Sequence, residues 1–231
     1  MAAPDGSDGP HAFVDDLAAP ALHADDRHHL ERVLRLARGD PLTVSDGDGS
    51  WARCRFGPEL EVIGPVERVP RPLPELTVAF ALVKGQRPEW VTQKLTELGV
   101  DRIVPFVAAR SVVRWDSSRV ARNHDRLSTV AREAAMQSRR CWLPVVEAAA
   151  DFAEIAGRAG SRLAERSGAP ISADDTLLLV GPEGGWSPEE RAACARTVAL
   201  GDAVLRADTA AIVAGALMTA LRNGLVDPHA R

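Results

Sequence analysis

The stretch 179–188, LVGPEGGWSP, has the composition of a loop that lets main chain approach a ligand. It holds three glycines within five residues, between an apolar run and a helix start at Ser187. Glycine has no Cβ, so backbone N–H and C=O groups can come close to a bound molecule. In open α/β sheets, ligands bind at the carboxyl ends of strands. A tight turn is the alternative, and the stretch matches neither the P-loop nor the GxGxxG pattern.

A second stretch, 199–211, reads ALGDAVLRADTAA and has a similar order of strand end, glycine and helix start. A predicted strand over 197–200 ends at a glycine, a short apolar piece follows, and Arg206 stands beside a predicted helix start. Asp208 or Thr209 is a suitable cap for that helix. A lone arginine is usually a surface residue, so residue type by itself leaves open whether this stretch is a site or a turn.

The elements around both stretches alternate between strand and helix. Apolar runs predict strands over 76–83, 103–107, 145–146, 176–180 and 197–200. Helices are predicted from Pro88 to Gly99, along a longer segment with Val120, Leu127, Val130 and Ala134 facing inward, from the capping box at 187–190, and over 209–222. This alternation predicts an α/β domain with a parallel sheet.

The residues before 64 predict a different kind of domain, with short strands around one helix. Strands are predicted over 11–14, 42–44, 51–56 and 60–63, with a hairpin turn at 46–49. Asp25 or Asp26 is predicted to cap a helix that Gly39 ends and that carries Leu30, Val33, Leu34 and Ala37 at helical spacing. This pattern favours a small β-barrel. Four prolines within 65–74 predict a linker over 64–74. The predicted domains are therefore 1–72 and 73–231.

The composition of the chain limits the classes of protein to which it can belong. The 231 residues contain 45% apolar and 26% charged residues, which is typical of globular chains. No apolar run reaches membrane-spanning length, and the first ten residues lack the pattern of a signal peptide, so we expect no membrane partner and a cytoplasmic location. Three widely spaced cysteines indicate neither a disulfide framework nor a metal site, and we expect no metal.

Charge is unevenly distributed along the chain. The formal net charge is −4, but residues 110–140 contain eight arginines and three acidic residues, a local charge of +5. Screening confines the field of such a patch to about 10 Å, so it can contact phosphates on an acidic protein. A solvated helix face accounts for the same charges equally well.

Four motifs in order resemble the RsmE family, which belongs to the SPOUT superfamily of RNA methyltransferases. They are QKLTELGV at 93–100, EAAMQSRR at 133–140, LVGPEGG at 179–185 and LGDAVLRADTA at 200–210. The resemblance covers nearly the whole chain. Three positions depart from the family pattern: Met136 replaces a glutamate, Asp208 replaces a glutamate of a Thr-Glu-Thr sequence, and His11-Ala-Phe replaces an Arg-x-Phe opening.

The resemblance implies a SPOUT domain with a C-terminal trefoil knot, one of the exceptions to unknotted folds. It implies a PUA-like RNA-binding barrel before that domain, a homodimer, and S-adenosyl-L-methionine as cofactor. The implied reaction is methylation of N3 of a uridine, position 1498 in the usual numbering, in 16S rRNA of the small ribosomal subunit. Uracil N3 becomes nucleophilic on losing its proton, and a fixed guanidinium would stabilise the resulting anion.

The resemblance also assigns candidate residues. Arg206 is the first catalytic candidate and Arg139 the second, while Glu183 either accepts a proton or ties down N–H groups of its own loop. The implied cofactor-binding residues are Leu179, Val180, Gly181, Pro182, Glu183, Gly184, Gly185, Leu200, Gly201, Val204, Leu205, Arg206 and Thr209. The implied RNA-binding residues are Arg32, Arg35, Lys94, Gln137, Arg139 and Arg140.

Three alternative functions remain open from the sequence. One is a SPOUT methyltransferase acting on another RNA position or on a ribose 2′-hydroxyl. Another is a non-catalytic RNA-binding factor for ribosome assembly, which the intact GPEGG loop and Arg206 disfavour. A nucleotide-phosphate enzyme is disfavoured because neither lysine of the chain, Lys84 or Lys94, is near the glycine loop in the sequence.

Overall fold

The computed structural model describes residues 3–113, 115–194 and 196–226, and Arg114 of the basic stretch lies outside them. The chain forms two compact units. The first contains Met1–Pro72 and Arg132–Leu143, and the second contains Leu73–Ala131 and Pro144–Arg231. Residues 132–143 therefore belong with the first unit, although the sequence pattern placed them in the second domain.

The first unit is built on a four-stranded sheet. Its elements are β1 (His11–Phe13), α1 (Ala24–His28, continued by a π-helical turn, His29–Val33), β2 (Pro41–Ser45), β3 (Ser50–Arg55) and β4 (Glu61–Arg68). The strands lie in sequence order, with β1 parallel to β2 and the other pairs antiparallel. The predicted hairpin at 46–49 joins β2 to β3. The apolar face of the sheet packs with Leu30 and Phe56 into one core.

The predicted cap of the first helix is wrong. His23 is the N-cap residue and makes no side-chain capping bond. Asp26 is instead buried, and its two carboxylate oxygens accept from Nη1 and Nη2 of Arg132, 106 residues later in the chain. The helix also ends before Gly39, since Leu34 is already the C-cap residue of the π-helical turn. A long-range ion pair therefore outweighs the local capping preference.

The predicted linker also begins too early. β4 continues through Gly64 and Pro65 to Arg68. The pairing of β3 with β4 shifts register at this point, between Trp51 and Arg53 of β3. A proline is tolerated here because β4 is an edge strand, where a missing N–H breaks no central ladder.

The second unit contains a seven-stranded parallel sheet flanked by helices. Its elements are β5 (Thr77–Ala81), α2 (Arg87–Leu98), β6 (Arg102–Val107), α3 (Ser117–Gln137, whose last residues fall in the first unit), β7 (Val145–Val146), β8 (Ala150–Asp151), α4 (Phe152–Ala156), β9 (Ser161–Pro170), β10 (Leu177–Val180), α5 (Pro188–Ala193), β11 (Thr197–Ala199) and α6 (Ala207–Arg222). The order is β11-β9-β10-β5-β6-β7, and β8 also pairs with β6. The predicted α/β fold with a parallel sheet is confirmed, while β9 was not predicted.

Two apolar cores cover the two faces of this sheet. One contains Val78, Leu95 and Met218 and joins the sheet to α2 and α6. The other contains Phe106, Ile155 and Trp186 on the opposite side. Gly215 lies where α6 meets α2, and a Cβ built there would be 2.5 Å from Leu95 Cδ2. The glycine therefore allows packing of α6 against α2 within the chain.

Among the described residues, every helix is too short or too polar to span a bilayer. Within the same ranges, no group of three or more His, Cys, Asp and Glu side chains is arranged to hold a metal ion. Cys54, Cys141 and Cys194 are free and buried. Burial raises the pKa of the Cys54 thiol to about 11 and that of the Cys141 thiol to about 12.

Candidate active site

A cleft of about 290 Å³ opens at the carboxyl ends of β10 and β11, beside the start of α6. This is the edge at which ligands bind in parallel α/β sheets. Its walls come from β9, the loop 181–186, α5, the loop 200–205 and the first turn of α6. The lining residues are Ala164, Glu165, Arg166, Val180, Gly181, Pro182, Glu183, Gly185, Trp186, Arg191, Leu200, Gly201, Ala203, Val204, Leu205, Ala207 and Ala210.

The glycine loop directly follows β10 and rests on Trp186. A Cβ built on Gly181 would lie 2.9 Å from Cε2 of the Trp186 ring, so a larger residue would displace that ring. The ring stacks on Phe106, with centroids 6.1 Å apart, and its Nε1 donates to the Ala164 carbonyl at 3.0 Å. Gly185 adopts a φ of 69°, which favours glycine. The loop therefore has a rigid apolar base.

The predicted capping box at the start of α5 is present. The Ser187 hydroxyl accepts from the Glu190 N–H, and Glu190 Oε2 accepts from the Ser187 N–H. The other oxygen, Oε1, accepts from the Ala109 N–H at 2.7 Å. The box thus also ties the loop after β10 to the loop after β6.

Two arginines from other elements hold the glycine loop. Arg87, the first residue of α2, donates from Nη1 to Glu183 Oε1 at 3.1 Å. Its Nε also lies 3.7 Å from Asp208 Oδ2 in α6. Arg110 donates to the Gly184 carbonyl at 2.9 Å. Glu183 therefore accepts a hydrogen bond from a guanidinium of α2, whereas the sequence predicted that it accepts a proton or bonds N–H groups of its own loop.

The loop 200–205 is open to solvent and apolar. The Val204 side chain is 84% exposed, although it lines the cleft. Among the described residues, no main-chain hydrogen bond is made by this loop outside regular strands and helices. A ligand would therefore displace no turn or cap bond of this loop.

Four residues of the predicted cofactor set do not line the cleft. Leu179 is fully buried in the core of the sheet. Gly184, Arg206 and Thr209 are exposed. Arg206 is the N-cap residue of α6, and its side chain makes no hydrogen bond or ion pair with any described residue. A role for these four residues in binding or catalysis stays a prediction.

The wall that β9 provides was not predicted from the sequence. Glu165 and Arg166 line the cleft from this strand, and Arg191 lines it from α5. Arg191 donates to Glu165 Oε1 from Nε at 2.8 Å, and its Nη2 lies 2.6 Å from the same oxygen. The segment 161–170 mixes charged and small residues, so no periodic apolar pattern marks it as a strand.

The predicted RNA-binding residues fall in both units. Arg32, Arg35 and Gln137 are exposed in the first unit, and Arg140 is partly buried there. Arg139 belongs to the same unit, has a φ of 57° and donates to the Gly9 carbonyl. In the second unit, Lys94 donates to both carboxylate oxygens of Glu97, at 2.8 and 2.7 Å, and lies over the Trp90 ring.

A second cavity, of about 850 Å³, lies within the first unit. It is lined in part by His11, Met136, Gln137 and Arg139, so it contains two of the family departures. His11 is buried, and its Nδ1 lies 2.8 Å from the Thr43 hydroxyl. Burial, and next the charge of Arg139, lower the pKa of His11 to about 4. The imidazole is therefore neutral at pH 7.

Comparison with known proteins identifies the family. A model of the RNA methyltransferase domain matches residues 70–219. A ribosomal RNA small subunit methyltransferase E of Mycobacterium bovis is 34% identical to this chain, over 87% of it and 88% of the relative. The chain belongs to the RsmE family.

Other RsmE-type proteins agree with this assignment. The Bacillus subtilis relative of the same name is 30% identical, over 87% of this chain and 90% of its own. A Neisseria gonorrhoeae methyltransferase E bound to S-adenosylmethionine superposes with a TM-score of 0.78 at 25% identity, covering 92% of this chain and 97% of that one. A Legionella pneumophila methyltransferase in complex with the same cofactor has a TM-score of 0.79 at 27% identity, covering 91% and 96%. The RsmE resemblance and the SPOUT fold class are confirmed.

Proposed function

We propose that this RsmE-family chain methylates N3 of one uridine of 16S ribosomal RNA, at position 1498 in the usual numbering. The coarser activity, S-adenosylmethionine-dependent methylation of ribosomal RNA, follows from membership of the family. The methylated atom, the uridine and the ribosomal subunit are not determined by family membership and are part of this proposal. The names of the curated relatives, which specify the small subunit, support it.

The cleft at the ends of β10 and β11 fits S-adenosylmethionine. It offers main-chain groups of the loop 200–205 that make no turn or cap bond with the described residues, and an apolar Val204 that a planar base would cover. Its volume of about 290 Å³ is at the lower end of ligand pockets. When bound, the cofactor supplies an electrophilic methyl group. This chain need only hold it, exclude water and present the uracil.

The uracil must lose its N3 proton, and the negative charge then spreads over O2, N3 and O4. A guanidinium held near this system lowers the energy of the anion. Arg206 suits this role because it stands at the start of α6, next to the lining residues Leu205 and Ala207, and has no partner among the described residues. Arg139 is the second candidate. Glu183, exposed at the cleft, is the candidate proton acceptor.

The open cleft between the two predicted loops is the observation that carries this proposal. Its test is methyl transfer from labelled S-adenosylmethionine to small ribosomal subunits that lack the modification. Nucleoside mass spectrometry should show 3-methyluridine, and primer extension should stop at one position. Label on a ribose 2′-hydroxyl or on another RNA would contradict the assignment. Tight RNA binding without transfer would favour the non-catalytic assembly factor.

A homodimer and a cytoplasmic location are parts of the same proposal. The apolar residues on one side of α6 are only partly buried, namely Ile212, Val213, Ala216, Leu217, Ala220 and Leu221. A second copy would cover them. A ribosomal RNA substrate favours the cytoplasm. The knotted path implied by the family resemblance also stays a prediction.

A further inference from the structure

Glu165 lies in β9 just beyond the residues that pair with β10, at the wall of the cleft. β9 pairs with β10 as far as Ala164, which is opposite Val180, the last residue of β10. Glu165 is the next residue and lines the cleft, and its side chain is 20% exposed. A carboxylate in this position meets any ligand that fills the cleft.

One oxygen of this carboxylate is occupied and the other is not. Oε1 accepts from Arg191, which fixes the carboxylate from α5. Among the described residues, Oε2 has no hydrogen-bond partner. The guanidinium of Arg191 offsets the negative charge of Glu165, and Arg166 adds another positive charge to the same wall.

These charges select the ligand group that Oε2 accepts from. An ammonium group would be placed beside two guanidinium groups, and like charges repel. Neutral hydroxyl donors carry no such penalty, and a carboxylate accepts from them in charge-assisted hydrogen bonds. S-adenosylmethionine carries one ammonium group on its methionine end and two neighbouring hydroxyls on its ribose.

We propose that Glu165 binds the ribose hydroxyls of S-adenosylmethionine and that Arg191 is the residue that positions it. This inference rests on the proposed function, because it requires the cofactor to occupy the cleft. The ribose would then lie beside Glu165 and Arg166 of β9, and the adenine beside the loop 200–205.

Calorimetry with two ligands tests the assignment. S-adenosylhomocysteine has the adenine, the ribose and the amino-acid end, whereas 5′-methylthioadenosine has the adenine and the ribose but no amino-acid end. Glu165→Gln should weaken binding of both by about tenfold or more, because an uncharged amide forms weaker hydrogen bonds with hydroxyl donors than a carboxylate does. Arg191→Gln should weaken both less. Glu154→Gln, which removes a carboxylate paired with Arg158 away from the cleft lining, should change neither.

A second comparison varies the ligand instead of the protein. The wild-type protein should bind 2′,3′-dideoxy-5′-methylthioadenosine at least tenfold more weakly than 5′-methylthioadenosine, and Glu165→Gln should reduce this difference. A Glu165→Gln protein that loses affinity only for S-adenosylhomocysteine would place the carboxylate at the amino-acid end and overturn the inference. Unchanged affinity for both ligands would also overturn it, as would equal binding of the dideoxy ligand by wild type.

Failure of the proposed function has a different signature. A folded wild-type protein that binds none of the three ligands, nor S-adenosylmethionine, would reject the cofactor cleft itself and the inference with it. If Glu165→Gln does not fold, shown by its melting curve, Arg191→Gln decides: it should reduce the difference between 5′-methylthioadenosine and its dideoxy form, and an unchanged difference would overturn the inference.

Discussion

Arg206 is an arginine at a position where helix electrostatics disfavour a positive charge. It is the N-cap residue of α6, and the N-terminus of a helix carries a partial positive charge. Its side chain is exposed and bonds no described residue. Neither packing nor helix stability therefore accounts for it, whereas an anionic transition state would.

We predict that Arg206→Ala keeps the melting temperature and S-adenosylmethionine affinity of wild type but lowers turnover by about 10²-fold or more. Arg206→Lys should restore only part of the rate, because a point charge does not reproduce the planar fork of a guanidinium. Melting curves, calorimetry and a methylation assay on the same samples test this. Wild-type turnover in Arg206→Ala would remove the residue from the mechanism.

Two glycines of the same loop differ in what surrounds them. A Cβ on Gly181 would meet the stacked Trp186 ring at 2.9 Å, whereas one on Gly184 would meet Arg110 Cβ at 3.3 Å. Gly181→Ala should destabilise the protein by about 1–3 kcal/mol through overpacking and weaken cofactor binding. Gly184→Ala should change stability by about 0.5 kcal/mol or less. Equal losses of affinity in both variants would mean that Gly184 contacts the cofactor.

At the scale of elements, Arg87 joins the start of α2 to the glycine loop and to α6. The contact with Glu183 is exposed and the one with Asp208 half-buried, and ion pairs near the surface contribute about 0–1 kcal/mol to stability. Their effect should appear in the geometry of the cleft, because Glu183 lines it and Asp208 lies in the first turn of α6.

We predict that Arg87→Gln weakens S-adenosylmethionine binding several-fold with little change in melting temperature. Glu183→Gln should act in the same direction, and the double variant should lose less than the sum of the two because they share one contact. Arg126→Gln, which breaks a similar pair with Glu89 outside the cleft lining, is the matched control. Additive losses in the double variant would show that the two residues act separately.

The buried His11 makes the stability of the first unit depend on pH. Its pKa in the folded protein, about 4, lies below the ordinary histidine value of 6.5, so the folded state prefers the neutral ring. The stabilisation is complete above pH 6.5 and is lost as pH falls towards 4; each tenfold difference in proton affinity corresponds to about 1.4 kcal/mol. His11→Gln should therefore show a smaller fall in melting temperature between pH 7.5 and pH 5. An identical fall in both proteins would contradict this.

At the scale of the whole molecule, α6 has two apolar sides and only one of them is covered. Ala211, Ala214 and Met218 are buried in the core with α2 and the sheet. The opposite side is only partly buried, and Trp90 of α2 is exposed, at 52%. A partly exposed apolar helix side of this kind is typical of an interaction site.

We expect a homodimer that uses this side of α6. Light scattering should give a mass near twice the 24.7 kDa of the chain. Leu217→Glu should give monomers, since it places a charge among partly buried apolar side chains, while Glu154→Gln should leave the dimer intact. A monomeric and fully active wild-type protein at micromolar concentration would refute the interface.

The sequence by itself determined the features that depend on neighbours in the chain. Apolar runs and the capping box at 187–190 marked the strand, loop and helix around the cleft, because hydrophobic period and caps act over a few residues. The order of four such motifs was enough to indicate the RsmE family.

Only the tertiary structure decided which distant groups meet. Asp26 pairs with Arg132, 106 residues away in the chain, and does not cap its own helix. Glu183 accepts a hydrogen bond from Arg87, 96 residues away, and not from N–H groups of its own loop. The segment 161–170 becomes β9 because β10 and β11 supply partners for its backbone, although its side chains have no strand pattern. Glu165 could not be placed at the cleft from its local sequence, since ion pairs and sheet pairing between remote segments have no local signal.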